Sequence, residues 1–206
     1  MVRDHIRTLL RIVAGFALVA AVSGCAMAPV DLNQLKLNFP QPLVAKKDPT
    51  PLFIVASDKD VPDHFTTPND PVKPVEIFAV RTFVTRDVQQ ALGAFYQTVK
   101  VVSNESDLPS TPHIVAKVHI TNITTEADMA IANGVTAGRV FGAMDWAIAL
   151  RRSGEDKFFY SFTDRSIGTA SLTNVAQTGI MFSSTFEVAL GRFLKDFSDK
   201  VTTAKS

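Results

Sequence analysis

"AMDWAIALRRSGEDKFFYSF", residues Ala143 to Phe162, decides how this chain folds. Met144, Trp146, Ile148 and Leu150 alternate with smaller or polar residues, and Phe158, Tyr160 and Phe162 alternate again after Ser153-Gly154-Glu155-Asp156. Successive side chains of a strand point to opposite faces, so each limb carries one bulky apolar face, and the polar turn between them predicts a β-hairpin. Upstream, "HIVAKVHI" (His113 to Ile120) alternates in the same way. Ile114, Ala116, Val118 and Ile120 form its covered side; His113, Val115, Lys117 and His119 form a side expected to face water.

A sheet with one apolar face needs helices to cover it. The stretch "SSTFEVALGRFLKDFSDKV" opens with Ser184-x-x-Glu187, a capping box, and places Phe186, Leu190, Phe193, Leu194, Phe197 and Val201 on one stripe, predicting a C-terminal amphipathic helix. Asp87, with Gln90 three residues on, is expected to open a second helix whose stripe is Val88, Leu92, Phe95 and Val99. "PLFIVAS" and "VEIFAVRTFV" read as short strands, and "VKVVSNESDLPSTP" as a short strand with an exposed loop. The expected class is α+β: an antiparallel sheet with one face covered by two helices, in the order strand, helix, β-meander, C-terminal helix.

The N-terminus has a different character. "MVRDHIRTLLR" carries three arginines against Asp4, and Ile12 to Val22 then runs without a charge. Eleven residues match an export signal's apolar core and fall short of the roughly 20 that cross a bilayer. Val22-Ser23-Gly24-Cys25 follows and resembles the bacterial lipobox. The resemblance implies that the chain is cut before Cys25, that its sulfur receives a diacylglyceryl group and that the new amino terminus is acylated. Cys25 is the single cysteine, so no intramolecular disulfide forms, and lipidation consumes a thiol that an oxidising compartment would otherwise leave unpaired. Two or three acyl chains anchor a protein stably, each buried methylene contributing about 0.8 kcal/mol. Ala26 and Met27 stand where an aspartate would favour the inner membrane, so the expected location is the periplasmic face of the outer membrane, with sorting rules differing between bacterial groups.

Domain boundaries follow: 1–24 signal peptide, 25–50 lipidated cysteine and proline-rich tether, 51–203 a single α+β periplasmic domain. All eleven prolines lie between Pro29 and Pro112, nine of them by Pro74, which is why the segment after Cys25 reads as an extended tether. Removing residues 1–24 leaves 18 basic and 19 acidic side chains, no field to attract nucleic acid or anionic lipid.

Chemistry is sparse. The sequence holds no Gly-x-Ser-x-Gly elbow, no His-Glu-x-x-His, no phosphate-binding loop and no dinucleotide fingerprint. His113 and His119 share a strand face but stand about 20 Å apart at roughly 3.3 Å per residue, so they cannot ligate one ion. Asp156 with Asp164, and Glu126 with Asp128, are carboxylate pairs in or beside turns, where such residues serve solubility. No catalytic residue, cofactor or metal site is expected, and the protein is not expected to be an enzyme. The irregular stretch is "AIANGVTAGRVFG", where Ala130, Gly134, Gly138 and Gly142 recur every four residues. It reads either as a glycine-rich connection, including a long hairpin arm, or as a helix with a small-residue stripe contacting a partner or membrane. Gly134, Gly138 and Gly142 are therefore the candidate partner-contact arm.

The order of elements from Leu52 to Val201 is similar to small outer-membrane lipoproteins of the YajG type. A related plan is shared by the lipopolysaccharide-assembly lipoprotein and by auxiliary lipoproteins of lipid-trafficking ABC systems. The resemblance implies a non-catalytic envelope interaction or assembly module, docking on another envelope protein through a sheet edge or the glycine-rich arm. The alternative it leaves is an accessory lipoprotein of a lipid or glycolipid transport system, with a lipid ligand in a groove between the C-terminal helix and the strand of Trp146.

Overall fold

The structure, a computed structural model, describes residues 29–66, 76–132, 135–171 and 176–203. In chain order it contains β1 (Val30–Asp31), β2 (Leu52–Val55), β3 (His64–Thr66), β4 (Glu76–Phe78), helix α1 (Val80–Leu92), β5 (Val99–Val102), β6 (Ile114–Ala132), β7 (Val135–Arg152), β8 (Tyr160–Ser171) and helix α2 (Ala176–Thr203). The strands form a five-stranded sheet, β5-β2-β6-β7-β8, and a three-stranded one, β1-β4-β3. The α+β class and the closing helix are as expected.

The meander is antiparallel, with Ile120 opposite Trp146 and Trp146 opposite Asp164. The other half of the sheet is not: β2 runs parallel to both β5 and β6. The chain leaves β2 and returns to β5 through α1, a crossover that brings a strand back in the same direction. Local alternation carries no information about such a return, so within the five-stranded sheet the antiparallel reading holds for β6 to β8, while β3 and β4 of the smaller sheet are antiparallel as well.

Helix α1 begins at Val80, seven residues before Asp87. Ala79 makes the whole joint between β4 and α1, with a left-handed φ of 61°, which costs an alanine roughly 1–2 kcal/mol and leaves no local signal of a strand ending. Asp87 is not a cap; it is 1% exposed in mid-helix and pairs with Arg86 at 2.9 Å. Arg86 also donates to the carbonyl oxygens of Leu35 (2.6 Å) and Asn33 (3.3 Å), pinning the N-terminal segment onto α1. Val30 pairs with Ile77, and Leu32, Leu37 and Phe39 are in the core. The tether expected over 25–50 is therefore docked from Val30 onward. Its prolines make it extended, and its spaced apolar residues give it a surface to lie on.

Helix α2 likewise starts eight residues before Ser184, so the Ser184/Glu187 box is interior and not a cap. The β7–β8 ladder continues to Arg139 opposite Ser171, and α2 packs on both strands, so the helix has sheet beneath it beyond its local start signal. Five of the six residues of the predicted stripe are in the core: Phe186, Leu190, Phe193 and Phe197 are fully buried and Leu194 nearly so, while the side chain of Val201 lies outside what is described. Phe193 is the hub, with ring centroids 6.0 Å from Trp146, 5.8 Å from Phe162 and 5.6 Å from Phe197. Trp146 itself is 1% exposed and also meets Phe186 at 5.3 Å. Aromatic packing fills the space where a lipid groove between α2 and the Trp146 strand was expected.

Candidate functional site

The open space lies at the end of the sheet where β2 and β6 begin and β7 ends. Here Phe95, Tyr96, Phe159 and Tyr160 wall a cavity of about 590 Å³, within the range of small-molecule sites. The α1–β5 connection supplies Phe95 and Tyr96, held by backbone bonds from Asp48 to Phe95 (2.7 Å) and from Gln97 to Asp48 (2.9 Å). The aromatic pair Phe159-Tyr160 comes from the start of β8. Three cations, Lys46, Arg152 and Lys200, share the lining with Asp48 and Glu155. Arg152 lies over the Phe159 ring at 5.2 Å and is 3.7 Å from Glu155. Lys200 lies over the Tyr160 ring at 5.2 Å and bonds Asp196 at 2.9 Å.

His113 also lines this cavity, and it departs from the sequence reading: it is 6% exposed, packed edge-on against Phe53 at 5.4 Å, with Nδ1 donating to the Thr111 carbonyl at 2.7 Å. The exposed β6 face is covered here by the loop before the strand, which also carries Glu105 to its pairs with Lys117 and Arg151. His119 stays half-exposed, 3.5 Å from Asp60. Ser153 Oγ accepts from the backbone N–H of His113 at 3.1 Å, and among the described residues no bond joins it to the imidazole, so the two make no nucleophile–base pair. Asp164 lies within β8 and not in a turn; it accepts from Ser166 (2.5 Å) and Arg192 (3.2 Å), and Asp156 is exposed in the hairpin connection. Among the described residues no cluster of three metal-ligating side chains occurs, and no helix is long and apolar enough to cross a membrane.

The protein's only two tyrosines line this cavity. Burial, then the Asp48 carboxylate, pushes the Tyr96 phenol up to about 12. Burial, then the hydrogen bond donated to Asp196 at 2.8 Å, pushes Tyr160 up as well. A folded state that keeps protons the unfolded chain releases near 10.0 loses stability as pH rises above that value. Alkaline titration followed by tyrosinate absorbance should stay flat through pH 10 and then rise together with loss of far-ultraviolet dichroism; a separate early tyrosinate step would contradict this burial.

Cys25 and Gly134 lie outside the described residues. The stretch around 126–142 is a hairpin arm and not a helix: β6 and β7 pair out to Ala132 opposite Val135. The register slips at Thr121, between the Ile120–Trp146 and Asn122–Asp145 pairs. This slip changes which residues share a face. Gly138 and Gly142 lie on the Met144–Trp146 face of β7, whereas Ala130, opposite Ala137, lies on the other, so the four-residue spacing makes no single stripe.

The fold and cavity thus define a class of α+β domain with a mixed five-stranded sheet backed by two helices. Within that class, the chain is similar to a Xanthomonas campestris protein of the DUF330 family, with 11% identity, a TM-score of 0.52, and coverage of 86% of this chain and 96% of the other. It also matches a homolog of neuraminyllactose-binding hemagglutinin from Helicobacter pylori at 12% identity and a TM-score of 0.36, over 81% of this chain and 91% of that one. The first likeness shows a shared fold. No family model and no curated protein matches the sequence.

Proposed function

We propose that this protein is a lipid-anchored, non-catalytic module of the bacterial envelope, held at the periplasmic face of the outer membrane by acylated Cys25 and acting by docking on another envelope protein. The observation that carries this reading is that the first described strand, β1, begins at Val30, five residues after the lipobox cysteine, so cutting before Cys25 removes none of the described fold. Cys25→Ala should abolish the acyl mass on the mature N-terminus and remove the protein from the outer-membrane fraction. In-cell crosslinking of the tagged wild type should recover one partner that the variant loses. An unacylated wild-type terminus, read by intact mass spectrometry, would refute the anchor.

The cavity favours a second reading, accessory handling of a lipid or glycolipid. Its aromatic wall suits an apolar body and its three cations an acidic or sugar-bearing head. Organic extraction of the purified chain separates the two: a stoichiometric lipid supports carriage, and an empty protein supports docking alone.

A further inference from the structure

The hairpin arm and β1, the first described strand after Cys25, lie toward the same end of the body. The Ile120 amide donates to the Asp60 carbonyl at 2.9 Å, the Val80 amide donates to the Asp63 carbonyl at 3.1 Å, and Phe78, two residues before Val80, pairs with Asp31 of β1. β1 therefore lies toward the level of Ile120 and away from the cavity end at Ile114, which is six residues further down β6, about 20 Å from Ile120 at roughly 3.3 Å per residue.

From that level the arm continues twelve residues to Ala132, about 40 Å at the same rise. Among the described residues β8 accompanies it as far as Arg139, opposite Ser171, and Met129–Ala132 and Val135–Gly138 pair with each other as a two-stranded ribbon. An isolated two-stranded ribbon is marginal in water and gains from a surface to rest on. The sequence of these strand ends contains no charged residue, and Asp128 opposite Arg139 bounds them as a pair of opposite charges.

The five residues from Cys25 to Val30 span at most about 18 Å when fully extended. A tether of about 18 Å keeps the bilayer near β1, so an arm of about 40 Å leaving the same end must lie obliquely to the membrane for its ends to stop at the headgroups. We propose that the uncharged strand ends Met129–Ala132 and Val135–Gly138 enter the headgroup layer of the bilayer that anchors Cys25, so that the protein grips the membrane at two points. This rests on the lipid anchor proposed above.

The test uses the acylated full-length mature protein in vesicles of phosphatidylethanolamine and phosphatidylglycerol, its acyl mass verified first. Because acylation blocks Cys25, Ala137→Cys and Ser153→Cys each present one free thiol, at the arm and at the opposite end, for an environment-sensitive fluorophore. Brominated acyl chains should remove most of the emission at position 137, with a blue shift, and leave position 153 unchanged. A Val135→Asp substitution in the Ala137→Cys background should restore the emission while acylation persists. Equal, weak quenching at 137 and 153 on an acylated protein would overturn the inference while the anchor stands. Excimer emission from pyrene at 137 without bromine quenching would also overturn it, because the arm would then pair with a second copy. A missing acyl mass would overturn the anchor and the two-point grip together.

Discussion

Phe193→Ala should lower the unfolding free energy by about 3–5 kcal/mol, the cost of a large cavity in an aromatic core. Phe193 is fully buried, and its ring is 6.0 Å from Trp146, 6.1 Å from Tyr160 and 5.6 Å from Phe197. These neighbours belong to β7, β8 and α2, so the cavity cannot collapse without moving helix and sheet relative to one another. Phe193→Leu should cost much less, because most of the volume is kept. Chemical denaturation followed by tryptophan fluorescence reads both variants, since Trp146 is the only indole in the chain. An Ala variant within 1 kcal/mol of wild type, a range typical of surface substitutions, would mean that this cluster is not the centre of the core.

Arg86→Ala should be the second most damaging change, at about 3 kcal/mol, the lower end for removing one partner of a buried ion pair because Arg86 is itself 37% exposed. It strands Asp87, 1% exposed, and releases the Asn33 and Leu35 carbonyls that hold the N-terminal segment. The loss has a pH signature. Burial raises the Asp87 carboxyl above its ordinary 3.8, and the Arg86 hydrogen bond and charge pull it back; without Arg86 it rises further. A group with a raised folded pKa favours the folded state at low pH and loses that contribution as pH rises. The deficit should be largest at neutral pH and shrink on acidification toward the carboxylate range. Replacing both residues, Arg86→Met with Asp87→Leu, should recover most of the loss. Backbone amide exchange over 30–39 should accelerate in Arg86→Ala and return toward wild type only where the segment stays docked through Leu32, Leu37 and Phe39.

These two sites differ in how much of them could be read beforehand. The Phe193 cluster was legible: Phe186, Leu190, Phe193 and Phe197 declare a helix stripe, and Trp146 with Tyr160 and Phe162 declares the hairpin face it covers. The Arg86 latch was not, because its partners are carbonyls some fifty residues away that any residue type supplies. The cavity is a similar case. Tyr96, His113, Arg152 and Lys200 come from four separate parts of the chain, and no spacing connects them. His113 followed the strand alternation correctly but was covered by a neighbouring loop, which alternation alone does not register.

What the sequence determined by itself is therefore what repeats over short distances: the 2.0 and 3.6 periods of the meander and the closing helix. Tertiary structure alone decided the parallel insertion of β2, the early starts of α1 and α2, the docking of the proline-rich segment and the pairing of the arm. In each of these the deciding contact joins residues remote in sequence, and its free energy overrides local preferences that are each worth about 1 kcal/mol or less.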